Sequence, residues 1–208
     1  MGIQNRKTRE HEQLRQSILD AALRVLAEEG YGRVSMRKIA SLIEYSPTTI
    51  YRFFRNKEEL LRAIAGRTYA DLSARFERAR AEQGSDPLAL LGACIREYMT
   101  YCVEHAEMYR LLSDLACFEV ENGVVYERIG EIRVRVYQSW LECIGQATAR
   151  GAFAVRDEMR VFLFVWDAVS GYIDHRISHP GIPREPIEED AAAFVNLVFR
   201  ALEARAEG

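Results

Sequence analysis

The chain has 208 residues, 49% hydrophobic and 28% charged, which suits one large or two small domains with a substantial core. Its 28 Lys and Arg against 31 Asp and Glu leave a formal charge of -3, which excludes a polyanion binder that is basic throughout. The charge is unevenly spread: residues 1–66 carry 12 basic and 8 acidic side chains, a net +4, and residues 67–208 carry 16 and 23, a net -7.

Residues 1–12 are polar and are expected to be a flexible arm whose Arg6, Lys7 and Arg9 can reach a minor groove. Leu14, Ile18, Ala21, Ala22 and Val25 recur at helical intervals, and the run stops at Gly30. Ser35 is placed to cap a short helix from Met36 to about Ile43, and Ser46 to cap another from Pro47 to about Phe54. Asn56 can cap a long helix from Lys57 whose inner face carries Leu60, Leu61, Ile64, Leu72 and Phe76. The stretch Glu82–Pro87 has turn chemistry.

Five further helices are expected, over Pro87 to about Glu104, Ala106 to about Leu115, about Val124 to Arg150, Asp157 to about Ile177 and Ile187 to about Ala206. Three prolines between His179 and Pro186 make that segment a loop. Ile132–Val136 alternates as a strand would, but Val125, Ile129, Ile132, Val136, Trp140 and Ile144 repeat at three and four, which only a helix satisfies. The fold class is therefore all-α with about nine helices, a three-helix helix-turn-helix domain over 1–66 followed by a larger helical domain over 67–208.

Ile39, Ala40, Ile43, Ile50 and Phe54 are spaced to fill the small core of a helix-turn-helix, with the helix before Gly30 as its third wall. That leaves Arg37, Lys38, Thr48, Thr49, Tyr51 and Arg52 outside. With Ser46, Pro47 and Lys57 they form a candidate surface for double-stranded DNA. Tyr51, Lys57 and the helix start at Ser46–Thr48 suit phosphates; Thr48, Thr49 and Arg52 suit base edges, a threonine methyl against thymine and a guanidinium on guanine.

Gly30, Val34-Ser35, Ile39-Ala40, the run Ser46 to Phe54 and Lys57 to Leu61 together resemble the tetracycline-repressor (TetR) family of bacterial transcription regulators. The resemblance implies that the second short helix enters the major groove and that Tyr51 and Lys57 contact phosphates. Glu44 stands where that family usually has glycine in the turn, and Phe53 where it often has histidine or tyrosine. More weakly, His105–Leu112 and Trp166–Gly171 resemble a C-terminal domain type marked by Trp-x-x-x-His-Gly, with Ser170 in the histidine's place.

In the larger segment, Tyr109, Cys117, Phe118, Tyr126, Trp140, Phe162, Trp166 and Tyr172 are candidates to line a pocket for a small apolar or aromatic effector. The last two helices carry more apolar surface than one-sided packing uses. Phe162, Val165, Val169 and Ile173 on one, and Phe194, Val195, Val198, Phe199 and Leu202 on the other, are expected to form a four-helix homodimer interface. Cys94, Cys102, Cys117 and Cys143 contain no C-x-x-C pair, so buried thiols in a reducing cytoplasm are expected. His175 and His179 are spaced for a shared metal, but a solvated helix C-terminus, where the dipole favours histidine, explains them better, and no metal or cofactor is expected.

No apolar run spans a bilayer, so no membrane partner is expected. An all-α enzyme finds no support, since the chain has no phosphate loop, zinc-hydrolase motif or nucleophile signature. A helical adaptor binding protein through the head is the other alternative. The sequence is best read as a homodimeric, cytoplasmic repressor, released from palindromic operator DNA by its effector.

Overall fold

The computed structural model describes residues 3–113 and 127–203, with side chains described over 6–113 and 136–203. Among the described residues there are nine α-helices and no strand. By packing, the chain divides into two units. The first holds the residues up to Thr68 and a segment beginning at Glu107; the second holds Tyr69–Ala106 and the described residues from Glu127 on.

The first unit starts with α1 (Ile3–Glu29). It is longer than its apolar pattern requires, and the stretch expected as an arm is helical from Ile3. Side-chain pairs four apart, Arg6 with Glu10 at 2.7 Å and Gln16 with Glu12 at 2.9 Å, support this polar first half, a contribution apolar periodicity does not register. α1 ends at Gly30, whose φ of 81° lies in the left-handed region, and a single 3-10 turn (Tyr31–Arg33) follows.

α2 (Met36–Leu42) and α3 (Pro47–Tyr51) begin where their caps dictate: Ser35 accepts from the Lys38 amide and Ser46 from the Thr49 amide. Asn56 Oδ1 likewise accepts from the Glu59 amide at 2.8 Å at the start of α4 (Lys57–Gln83). Ile18, Ala22, Leu26, Ile39, Ile50 and Phe54 make one apolar core with Leu60, Leu61 and Ile64 of α4. Met108 and Leu111, from α6 (helical from 106 and described to 113), complete that core.

In the second unit α5 (Pro87–Glu104) is buried on most of its circumference, including Leu91, Ile95, Met99 and Cys102. It is covered by α7 (Glu127–Ala149), α8 (Glu158–Ser178) and α9 (Ile187–Leu202). Asp86 caps α5 and Asp157 caps α8, each with its own carboxylate. Gly92 lets α9 come close: a Cβ there would lie 3.4 Å from Val195 Cγ1 and 3.5 Å from Phe199 Cε2. α9 stops at Leu202, short of the expected end, and Ala154 N donates to Leu202 O at 2.9 Å while Phe153 pairs with Glu203.

Candidate nucleic-acid interface

The turn between α2 and α3 fixes how α3 is presented. Tyr45 N donates to Ala40 O at 2.9 Å and Glu44 N to Ser41 O at 3.3 Å, the paired bonds of a Schellman motif. That motif needs a left-handed residue, and Glu44 supplies it with φ 59°. A residue with a Cβ pays about 1 kcal/mol for this conformation, so the turn keeps its geometry at the expense of strain.

Of the nine candidate DNA residues, Arg37, Ser46, Pro47, Thr48, Tyr51 and Arg52 are exposed, Tyr51 at 52%, and Lys38, Thr49 and Lys57 are half-buried. Pro47 occupies the first turn of α3. Ser46 is spent on local structure: its Oγ caps the Thr49 amide at 3.2 Å and lies 3.0 Å from Thr49 Oγ1. Thr49 is half-buried as a result of that cap, while Thr48 stands clear. Two of the cations expected on the DNA surface have partners within their own unit. Lys38 Nζ pairs with Glu29, and Lys57 Nζ donates to Tyr31 O at 2.9 Å. Partial burial also lowers the Lys57 ammonium below the usual lysine range, against the raising effect of Glu58.

Of the described cations on this face, only Lys38 has its charge compensated, by Glu29; Lys57 keeps its charge because its partners are a carbonyl and a ring, and Arg37, Arg52 and Arg55 are exposed, as is the Glu44 carboxylate in the turn. Tyr45, 49% exposed and next to the Ser46 cap, belongs to the same face. Sequence spacing missed Tyr45 because a turn residue has no periodicity to mark it.

In the second unit, Trp140, Phe162 and Trp166 come together. Trp166 lies 5.7 Å from Trp140 and 6.1 Å from Phe162, ring centre to ring centre, with Tyr98 (5.6 Å) and Tyr137 (4.8 Å) completing the cluster. Neither Tyr98 nor Tyr137 was among the expected lining residues, although both lie in register with their helices' buried faces. Trp140 is fully buried, yet among the described residues its Nε1–H has no acceptor. Ser170 Oγ is likewise buried without a partner among the described residues.

Other expected lining residues lie elsewhere. Tyr109 is buried in the unit that carries the helix-turn-helix. Tyr172 donates to Asp190 Oδ2 at 2.8 Å, accepts from Arg176 Nη1 at 2.9 Å and packs on Phe194. Cys117, Phe118 and Tyr126 fall outside the described residues.

The expected self-association stripe needs correction. Phe162, Val165, Val169, Ile173 and Val195 face the core of their own unit and are buried in the single chain. Phe194, Val198, Phe199 and Leu202 are half-buried, Phe199 against Phe153. The apolar side chains that do reach solvent are Met159, Leu163 and Phe164 on α8 and Leu197, 67% exposed, on α9. α8 is apolar nearly all round, so periodicity could not say which stripe turns inward.

The histidine pair is stacked at 4.4 Å; His179 Nδ1 sits 3.1 Å from His175 O, and Arg184 Nη2 lies 2.5 Å from His175 Nδ1. A guanidinium at that nitrogen makes the pair part of the loop's hydrogen bonding. Among the described cysteines, Cys94, Cys102 and Cys143 are buried free thiols. Burial pushes Cys94 up to about 12 and raises the other two, so they are poor nucleophiles. Among the described residues no helix is long and apolar enough to cross a membrane.

Residues 18–64 match the family model described as bacterial regulatory proteins, tetR family. The chain is 30% identical over 186 residues to an uncharacterised HTH-type transcriptional regulator, YvkB, of Bacillus subtilis, covering 86% of this chain and 93% of the relative. Over 71 residues it is 35% identical to the HTH-type transcriptional repressor KstR of Mycolicibacterium smegmatis, 34% of this chain and 35% of that one. In fold it is similar to a TetR family transcription regulator from Marinobacter aquaeolei VT8, with a TM-score of 0.69 at 19% identity over 95% of this chain and all of the other. A helix-turn-helix with a solvent-facing α3, matched by that family model and by a relative along nearly its whole length, places this chain in the tetR family of bacterial regulatory proteins, DNA-binding regulators of transcription and not enzymes.

Proposed function

We propose that the chain is a homodimeric, ligand-responsive repressor of transcription working in the cytoplasm. Residues 1–66 are its DNA-binding part and residues 67–208 its effector-binding and dimerising part. The observation that carries the reading is α3, capped at Ser46 and set by the Glu44 turn, with Thr48, Tyr51 and Arg52 facing solvent. Thr48 and Arg52 read base edges in the major groove, while Arg37 and Tyr51 hold the backbone. Two heads related by a two-fold axis call for a palindromic operator with half-sites about one turn of DNA apart or more.

The dimer forms through Met159, Leu163, Phe164 and Leu197, whose exposure a second copy would remove. The effector is a small, largely apolar or aromatic molecule received at the rings around Trp166, in a C-terminal part of the Trp-x-x-x-His-Gly type with Ser170 in the histidine's place. The unpartnered Trp140 Nε1–H favours an effector with a hydrogen-bond acceptor, because pairing a buried donor recovers about 1–3 kcal/mol. Release needs only that the effector bind one packing of the helices more tightly than another.

The test is fluorescence anisotropy on duplexes from the chain's own upstream region. Tyr51→Phe is expected to weaken all sequences alike, and Arg52→Ala to relax preference at particular base pairs by about 1–3 kcal/mol each. No sequence-specific binding at low salt, or equal and negligible effects from both variants, would defeat the reading.

A further inference from the structure

We infer that His11 is a further contact to the DNA backbone, supplied by α1 and carried on the ring of Phe53. The two rings stack, with centroids 4.4 Å apart and planes 29° from parallel. Phe53 is the residue immediately after Arg52. His11 is exposed, and among the described residues neither of its ring nitrogens has a hydrogen-bond partner. One turn further along α1, the Arg15 guanidinium lies over the Phe54 ring, 5.4 Å from its centre. Two successive side chains of one α1 stripe thus rest on two successive rings that follow α3.

This placement has a physical use. Phe53 offers no polar atom at the edge of the α3 face, but its ring carries a stacked, exposed imidazole that can donate in its place. A pre-ordered donor loses little freedom when a phosphate oxygen arrives. Lys7, four residues before His11, continues the same stripe.

The charged groups around His11 are Lys7, Glu10, Glu12 and Arg15 on α1, and Arg52 and Arg55 on either side of Phe53. Glu10 is charge-paired with Arg6, whereas Glu12 is held only by the neutral Gln16 amide and keeps its charge. A phosphate arriving at the ring adds a second anion there, which favours a cationic donor at position 11. A protonated imidazole donates from both ring nitrogens, so duplex binding is expected to be tighter at pH 6 than at pH 8.

The inference rests on the head binding DNA, and the test separates the two. Binding of a short mixed-sequence DNA duplex is measured by anisotropy over about 50 to 200 mM salt at pH 6 and pH 8, with wild type, His11→Ala, His11→Lys and Arg52→Ala. At pH 6, His11→Ala is expected to bind about three- to tenfold more weakly, with a log–log salt slope smaller by about 0.9 per head. At pH 8 its deficit shrinks. His11→Lys should bind tightly at both values, its pH dependence gone. Phe53→Ala, which removes the platform, should reproduce the His11→Ala deficit and add little to it in the double variant.

If His11→Ala keeps the wild-type slope and pH profile while Arg52→Ala binds more weakly, the inference is wrong and the DNA reading stands. If wild type binds no duplex at either pH, the DNA reading itself fails. His11 is exposed, so equal thermal melting of wild type and His11→Ala excludes a folding defect as the cause.

Discussion

Lys57 engages Tyr31 twice, donating to its carbonyl oxygen at 2.9 Å and standing 4.1 Å from the centre of its ring. The start of α4 is thereby tied to the turn that follows α1, so a lysine expected to serve DNA also serves the head's architecture. Loss of this residue reads out in stability as well as in affinity.

Lys57→Ala is expected to lower the unfolding free energy by about 1–2 kcal/mol, combining a charge-assisted hydrogen bond with a cation–ring contact and discounting both for partial exposure. Chemical denaturation of the DNA-free protein checks this. An unchanged midpoint would show that the clamp contributes nothing in solution.

The same lysine has a pH signature. Burial lowers its folded-state value below 10.5, so the unfolded chain holds the proton to higher pH than the folded one. In the window between those two values the unfolded state binds more protons, and stability rises with pH. Lys57→Met lacks this term. Relative to that variant, wild type should gain stability as pH climbs toward 10.5, and a difference that stays flat or falls would contradict it.

Glu44→Gly should relieve the left-handed strain at φ 59°. Part of the gain is offset by the greater freedom of glycine in the unfolded chain, leaving about 0.5–1 kcal/mol of net stabilisation. Removing an exposed carboxylate from the DNA-facing turn should also tighten duplex binding at low salt. A lower melting temperature in this variant would mean that the Glu44 side chain makes a compensating contact in solution.

Thr148→Val tests the cost of an unpaired hydroxyl. Thr148 is 6% exposed, and its Oγ1 is buried without a partner among the described residues. Exchanging that hydroxyl for a methyl of similar shape should stabilise the protein by about 1 kcal/mol. Destabilisation would point to a bound water at that oxygen.

Leu197→Asp should convert dimer to monomer with little change in the folding of the single chain, because this side chain is 67% exposed. Light scattering coupled to gel filtration gives the mass. In contrast, Val195→Asp places a charge in the core and is expected to unfold the chain. A Leu197→Asp protein that remains dimeric moves the interface elsewhere.

Where a helix begins was legible in the sequence whenever a side chain made it so. Ser35, Ser46 and Asn56 each announce a start, and each caps in the structure. α1 was read too short because its first half is held by polar pairs, which leave no apolar period. The apolar stripe of α8 was assigned the wrong way round: with Phe162, Phe164 and Val165 close together, the sequence shows that two faces are apolar without showing which meets α5 and α7. The site residues divide on the same principle. Thr48, Tyr51 and Arg52 follow from short-range spacing, whereas the partners of Lys38 and Lys57 lie 9 and 26 residues away, and no local pattern contains them.

Met108 and Leu111 carry a consequence for modularity. Both belong to the head's core although they follow α5 in the chain, so the head is assembled from two separate stretches. A chimera that exchanges only the first 66 residues with a relative would set a foreign surface against these two side chains. Carrying α6 along with the graft should give the hybrid that folds, and swaps of operator preference between relatives should succeed or fail according to which stretches travel together.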